Sequence, residues 1–227
     1  MKVTHATKDR VMEAAALLFN RKGFDGTSVR EIAARANVNV ALISYYFGGK
    51  KGLMEQLLTG FLEGYISALE GIYDDHTGKS RRECLLNMAD AVISFQQKNA
   101  NLARFVQREI TLDTMLNREL MTTYLSKEKY LLQSVLTEGI SRKEFRKVPV
   151  PYTIMQLKGM FAMPYLHPQY LAEVLHVYPN EQYFYKIYTG EIRRWIEQSL
   201  CHHQSQLKVI PAPAPGWQTE ANIRLQG

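Results

Sequence analysis

Thr27-Ser28-Val29-Arg30-Glu31-Ile32-Ala33-Ala34-Arg35-Ala36-Asn37-Val38-Asn39-Val40-Ala41-Leu42-Ile43-Ser44-Tyr45-Tyr46-Phe47 carries two helix starts and a break between them within 21 residues. Ser28 and Glu31 have the spacing of a reciprocal capping box at a helix start. Val29, Ile32, Ala33 and Ala36 then recur at helical spacing on one face. Asn37-Val38-Asn39 interrupts that helix. Asn39 is placed to cap another over about residues 40–46, with Leu42, Ile43 and Phe47 turned inward, and Gly48-Gly49 ends it. Two short helices joined by a tight turn predict a helix-turn-helix. A recognition helix must enter a major groove about 12 Å wide, so its outward side should be small and polar. Here that side offers Asn39, Val40, Ala41, Ser44 and Tyr45, with Tyr46 and Lys50 near its end. A small three-helix bundle that never touches DNA has the same pattern, so the pattern alone leaves both readings open.

Upstream, Val11, Ala14, Ala15, Leu18 and Phe19 mark one face of a first helix. Thr4 or Thr7 can cap its start, and Gly23 is placed to end it in a left-handed conformation. Downstream, Leu53, Leu57, Phe61 and Tyr65 form the stripe of a long helix from about Lys50 to Tyr73. Charge gathers on the same segment. Residues 1–52 carry nine Lys and Arg against four Asp and Glu, whereas the other 175 carry 19 against 18. A basic module on a near-neutral body reads as polyanion binding, or as a solvated basic surface.

The rest of the chain is also helical in pattern. Ser80 and Glu83 have capping-box spacing for a helix to about Lys98; Asn101 is placed to cap a short helix through Arg108; another runs from about Asn117 to Gly139. Pro149-Val150-Pro151 opens a helix expected to end near Pro164, with a rigid kink over 163–168 and a short helix from Pro168 to Leu175. Pro179 opens a last helix to about Leu200, with Phe184, Ile187, Tyr188, Ile192, Trp195 and Ile196 as its apolar side. The Pro-containing tail 201–227 is expected to be mobile or extended. The chain therefore reads as all-α, with a helix-turn-helix domain at 1–52 and a larger helical domain at 53–200.

Several classes are disfavoured. With 46% apolar residues the chain can bury a sizeable core. No apolar run reaches the length of a membrane span, and no signal-peptide pattern opens the chain, so a cytoplasmic protein is expected, nucleoid-associated if the basic module binds DNA. Cys84 and Cys201 have no pairing pattern. His202-His203 beside Cys201 lacks a third ligand at matching spacing, so no metal or other cofactor is expected. No nucleophile elbow or Gly-rich phosphate loop points to an enzyme, and no catalytic residue is assigned.

The N-terminal segment resembles the TetR family of bacterial DNA-binding regulators. The resemblance lies in Gly23-Phe24-x-Gly26-Thr27-Ser28-Val29-Arg30-Glu31-Ile32-Ala33, Ala36-Asn37-Val38-Asn39 and Ile43-x-Tyr45-Tyr46-Phe47-x-x-Lys50-x-x-Leu53. It implies a TetR-like homodimer on double-stranded, near-palindromic DNA, often repressing transcription. The larger domain would carry the dimer interface, in many cases with a pocket for a small apolar effector. By position, Thr27 or Ser28 would bond phosphate, and Arg30 would reach a base edge or phosphate. Asn39, Val40, Ala41 and Ser44 would face bases, and Tyr45, Tyr46 and Lys50 would clamp the backbone. The helices near 151–163 and 180–200 would pair in an intersubunit four-helix bundle. Asn37 stands where the family usually has Gly, Gly48-Gly49 where a Pro-Ser-like pair is common, and Val40 where a polar base reader is common.

Arg104-Phe105-Val106-x-Arg108-Glu109 and Met163-Pro164-Tyr165-Leu166-x-Pro168-Gln169-Tyr170 extend the likeness into the body. Together with residues 38–47 they resemble a TetR-type branch of endospore-forming bacteria that regulates cell division through the ring protein FtsZ. That resemblance implies a protein partner, with Arg104, Arg108, Glu109 and Arg118 as the candidate contact; a solvated charged surface is the plainer reading. The late tyrosines (Tyr165, Tyr170, Tyr178, Tyr183, Tyr185 and Tyr188) suit core and interface packing, or an aromatic pocket with Met155, Met160 and Met163.

Overall fold

The computed structural model describes residues 2–76, 78–179 and 181–202. The expected tail beyond residue 202, His203 included, lies outside them. Ten α-helices follow in order: α1 Lys2–Lys22, α2 Val29–Ala36, α3 Ala41–Phe47, α4 Lys50–Asp75, α5 Arg81–Lys98, α6 Ala100–Glu109, α7 Met115–Leu120, α8 Ser126–Ser141, α9 Val150–Leu166 and α10 Gln182–Leu200. Among the described residues β-structure is limited to one isolated bridge, Phe145 to Cys201. The fold is all-α and TetR-like.

The helix-turn-helix forms as its residues require. Both halves of the Ser28–Glu31 box are closed, and Asn37 ends α2 in the left-handed region at φ 52°. Asn tolerates that conformation because its short polar side chain bonds locally. Asn39 Oδ1 accepts the Ala41 N–H at 2.9 Å and opens α3. Gly23, at φ 75°, closes α1, its N–H donating to Phe19 O at 2.9 Å. Neither Thr4 nor Thr7 starts α1, which begins before both.

Two apolar cores share α4. Leu53, Leu57, Leu58, Phe61 and Leu62 pack with Phe19, Ile32, Ile43, Phe105 and Tyr165. Further along α4, Tyr65, Ile66 and Leu69 pack with α5, α8, α9 and α10. The helix that supports the recognition unit is thus also a wall of the body. Leu42, expected inward, is only half-buried, whereas Ile43 and Phe47 are buried.

Several boundaries differ from expectation. Asn101 does not cap α6, which already begins at Ala100; its Oδ1 accepts from Asn20 Nδ2 at 3.1 Å and ties α6 to α1. The helix expected from Asn117 starts at Met115, because Thr114 accepts the Asn117 N–H, and a π-helical turn at Met121–Leu125 separates α7 from α8. The short helix expected after Pro168 is a π-helical turn, Tyr170–Val174, and α10 begins at Gln182, not next to Pro179.

The helix opened by Pro151 does not stop at Pro164 but encloses it and runs to Leu166. Proline lacks the N–H that would bond the carbonyl four residues back. That carbonyl, Met160 O, accepts the Tyr188 hydroxyl from α10 at 2.7 Å. A tertiary hydrogen bond therefore replaces the missing helical one. Tyr188→Phe should cost about 1–2 kcal/mol of unfolding free energy, read from urea denaturation. An unchanged midpoint would mean that another donor satisfies Met160.

Candidate nucleic-acid interface

α3 has the two-sided character that groove reading requires. Ile43 and Phe47 are buried, while Asn39, Val40, Ala41, Ser44 and Tyr45 are exposed, Tyr45 at 79%. Residues 40, 41, 44 and 45 share one helical face. Tyr46 is half-buried, its ring in edge contact with Tyr45 at 5.0 Å, and the Lys8 ammonium lies 5.4 Å from its centroid. Lys8 therefore brings α1 to the recognition helix, a pairing the sequence pattern does not reveal because 38 positions separate the two residues.

At the start of α2, Thr27 and Ser28 part ways. Thr27 is 1% exposed, and its hydroxyl donates to Gly23 O at 2.8 Å, so it fastens the turn and does not present its hydroxyl to phosphate. Ser28 is exposed, but its hydroxyl donates to Glu31 Oε2 at 2.9 Å and accepts the Glu31 N–H. What α2 offers an incoming anion is its positive helix end and the Arg30 side chain, exposed and without a hydrogen bond or ion pair among the described residues.

Glu31 bonds Lys22 as well as Ser28, and these bonds hold its carboxyl down to about 2, the Lys22 contact contributing most. A depressed carboxyl pKa stabilises the fold above the unfolded value, and that stabilisation is lost as pH falls through about 2. Acid titration by circular dichroism should thus loosen the α2 start below the ordinary glutamate range, and Glu31→Gln should remove that component. A transition identical in Glu31→Gln would exclude Glu31 as its source.

Lys50 departs from its expected role as a backbone clamp. Its ammonium donates to Phe24 O and Thr27 O, both at 3.0 Å, and sits 4.3 Å from the Phe24 ring centroid. Two carbonyls and a π face occupy it, so it locks the α1–α2 turn onto the start of α4. Lys51, whose side chain is 79% exposed and lies 3.9 Å from Glu55, is the more accessible cation there. Lys50→Met should weaken binding to all duplexes without changing the salt slope, and Arg30→Ala should reduce that slope by about one. A Lys50→Met slope reduced as in Arg30→Ala would restore the phosphate role.

The expected partner residues do not form one free surface. The Arg108 guanidinium donates to Phe19 O at 2.8 Å and so caps the end of α1, while the Phe105 ring stacks on Phe19 at 5.2 Å. Glu109 lies beside Arg108, at 3.9 Å, with its side chain 12% exposed. Arg118 is exposed and bidentate to Asp113. Arg104, half-buried on α6, lies close enough to Tyr165 on α9 to act on its ionisation. Sequence reading also missed a buried charged group in the body. Glu128 on α8 accepts from Tyr65 on α4 at 2.5 Å and pairs with Lys158 on α9 at 2.6 Å. Burial and the adjacent Glu128 push the Tyr65 hydroxyl well above its usual pKa, keeping it a donor.

A basic three-helix unit, with an exposed recognition face and a shared helix into an all-α body, defines a DNA-binding regulator. The profile of bacterial regulatory proteins of the tetR family matches residues 11–57. The chain is 52% identical over 196 residues to the probable HTH-type transcriptional regulator YttP of Bacillus subtilis (strain 168), covering 86% of this chain and 94% of that protein. This chain belongs to the TetR family of DNA-binding transcriptional regulators. Its fold is similar to the TetR family regulator PfmR of Thermus thermophilus (TM-score 0.71, 20% identity, 83% and 97% of the two chains). It is also similar to the ketosteroid regulator KstR2 of Mycobacterium tuberculosis (TM-score 0.74, 17% identity, 86% and 95%). These relatives are transcriptional regulators, not enzymes. No described helix is long and apolar enough to cross a membrane.

Proposed function

We propose that the protein binds near-palindromic duplex sites as a homodimer, reading bases with Asn39, Val40, Ala41 and Ser44. The observation that carries this is the face of α3, with Asn39, Val40, Ala41, Ser44 and Tyr45 outward over a buried Ile43 and Phe47. Arg30, Lys51, Tyr45 and Tyr46 are the backbone contacts of this reading, and the nucleoid is its location. The dimer pairs α9 and α10 with their copies. Tyr152, Met155, Gly159 and Leu166 line an exposed face of α9, and Tyr183, Ile187 and Gly190 one of α10. At Gly159 and Gly190 nothing lies within 4 Å of a built Cβ, which leaves room for close helix approach.

The effect at those sites, in this reading, is regulation of division through a protein partner, FtsZ. Its support is the body resemblance. The two segments that carry it, on α6 and at the end of α9, pack together through Tyr165 and leave Leu166 and Tyr170 exposed. Immunoprecipitation of the protein with its bound chromosomal fragments tests both parts. Palindromes near the replication origin, with little change in neighbouring transcripts, are the expected result. Sites confined to promoters whose transcripts change on deletion would replace it with ordinary repression.

A second reading, a repressor released by a small apolar effector, rests on Gln96. This side chain is fully buried, and neither its amide nitrogen nor its oxygen has a partner. Such groups are costly unless something pairs with them. Release of duplex by an apolar compound, abolished by Gln96→Leu, is the result that would favour it.

A further inference from the structure

A cleft of about 990 Å³ lies between the DNA-binding unit and the body. One wall is α1 with the last turn of α2, and the other is the bend where α5 gives way to α6. Its lining is sorted by chemistry. Ala14, Ala36 and Leu57 are buried and give an apolar floor. Arg10, Arg35 and Lys98 are exposed along the cleft, opposed by the single acid Glu13. None of these three cations makes a hydrogen bond or ion pair among the described residues. In the body, by contrast, Arg82, Arg118, Arg142, Arg193 and Arg194 all have carboxylate partners.

Three unpartnered cations along a cleft with an apolar floor are complementary to a ligand with an anionic head and an apolar portion. Guanidinium groups suit a carboxylate or phosphate because their fork of donors bonds two oxygens at once. The small side chains of Ala14 and Ala36 keep the floor low, and the volume is that of sites for drug-sized molecules. The bend adds a lesser contribution. Asn99 donates its side-chain amide back to Phe95 O, leaving the start of α6 without a side-chain cap.

We infer that this cleft is a binding site for a small amphiphilic organic anion, a carboxylate or phosphate ester, held by Arg10, Arg35 and Lys98. The walls belong to two units joined by α4, α6 and the Arg108 contact. A ligand touching both binds best at one separation of them. Linkage then requires that it change affinity for duplex, and that duplex change affinity for it. Neither Gln96 nor a residue of α3 lines the cleft, so the site stands independently of either reading above.

Calorimetric titration of the full chain with octyl phosphate, inorganic phosphate and octanol tests the assignment. Octyl phosphate should bind once per chain, and each of the other two about tenfold or more weaker, since each lacks half of the recognised chemistry. The double variant Arg35→Gln/Lys98→Gln should weaken octyl phosphate about tenfold, with an unchanged melting temperature because both side chains are exposed. Saturating octyl phosphate should shift the affinity for a random-sequence duplex by about threefold or more in the parent chain and not in the variant. Absence of binding at millimolar concentration would overturn the site, as would equal affinity in the variant. Parity with octanol would overturn the anionic head, parity with inorganic phosphate the apolar portion, and an unshifted duplex affinity the coupling.

Discussion

Ser44→Glu is expected to abolish specific duplex binding while the protein remains folded. Ser44 is exposed on the same face of α3 as Val40, Ala41 and Tyr45, and its backbone carbonyl, not its side chain, accepts the Gly48 N–H. The substitution therefore leaves the core contacts of Ile43 and Phe47 intact. It places a carboxylate at the centre of a surface that must lie against bases flanked by phosphates. Like-charge juxtaposition in an interface costs several kcal/mol, so affinity for a selected site should fall on the order of a thousandfold. Ser44→Ala removes the hydroxyl without adding charge. It should change which bases are preferred and leave random-sequence affinity within about threefold. Gel-shift titration on sites recovered from the chromosome, with thermal melts as the folding control, makes the comparison. Full binding by Ser44→Glu would remove α3 from the groove. Equal losses of Ser44→Ala on specific and random duplexes would make Ser44 a backbone contact.

Lys158→Met should be among the most destabilising single changes near the surface of the body. Lys158 is about one-third exposed, whereas its partner Glu128 is 3% exposed and lies 2.6 Å away. Removing the lysine leaves a buried carboxylate with only the Tyr65 hydroxyl. Breaking a buried pair from one side costs about 3–5 kcal/mol, and the partial exposure of Lys158 reduces that to about 2–3. Adding Glu128→Gln in the same chain removes the uncompensated charge and should return most of the loss, because the amide still accepts from Tyr65. Urea denaturation of the two single variants and the double variant measures the cycle. Additive losses would show that Lys158 and Glu128 are not coupled. The group joins α4, which also supports the recognition unit, to α9, which bears an exposed apolar face. Its loss should therefore lower duplex affinity as well as stability.

Local chemistry explains how much of this could be read along the chain. The Ser28–Glu31 box, the Asn39 cap and the glycine after α1 act within four residues, so their meaning survives without the rest of the molecule. The same holds for the stripe Leu53, Leu57, Phe61 and Tyr65, since helical periodicity reports which side turns inward. Pro164 shows where local reading stops. Proline at that position ends a helix unless the orphaned carbonyl finds a distant donor, and Tyr188 stands 24 positions later. Thr27 and Lys50 show the same limit at the interface. Both have side chains suited to phosphate, and both are occupied by carbonyls of the α1–α2 turn.

The order of helices, the helix-turn-helix, the concentration of basic charge on it and the outward face of α3 are all legible along the chain. These follow from periodicity, caps and composition, each a property of neighbouring residues. The tertiary structure decided which polar groups are free. It committed Arg108 to the end of α1, buried Glu128 between Tyr65 and Lys158, and left Arg10, Arg35 and Lys98 unpaired along one cleft. Hydrogen-bond and ion-pair partners are chosen across space, between helices far apart in the chain, and a linear pattern carries no record of those distances.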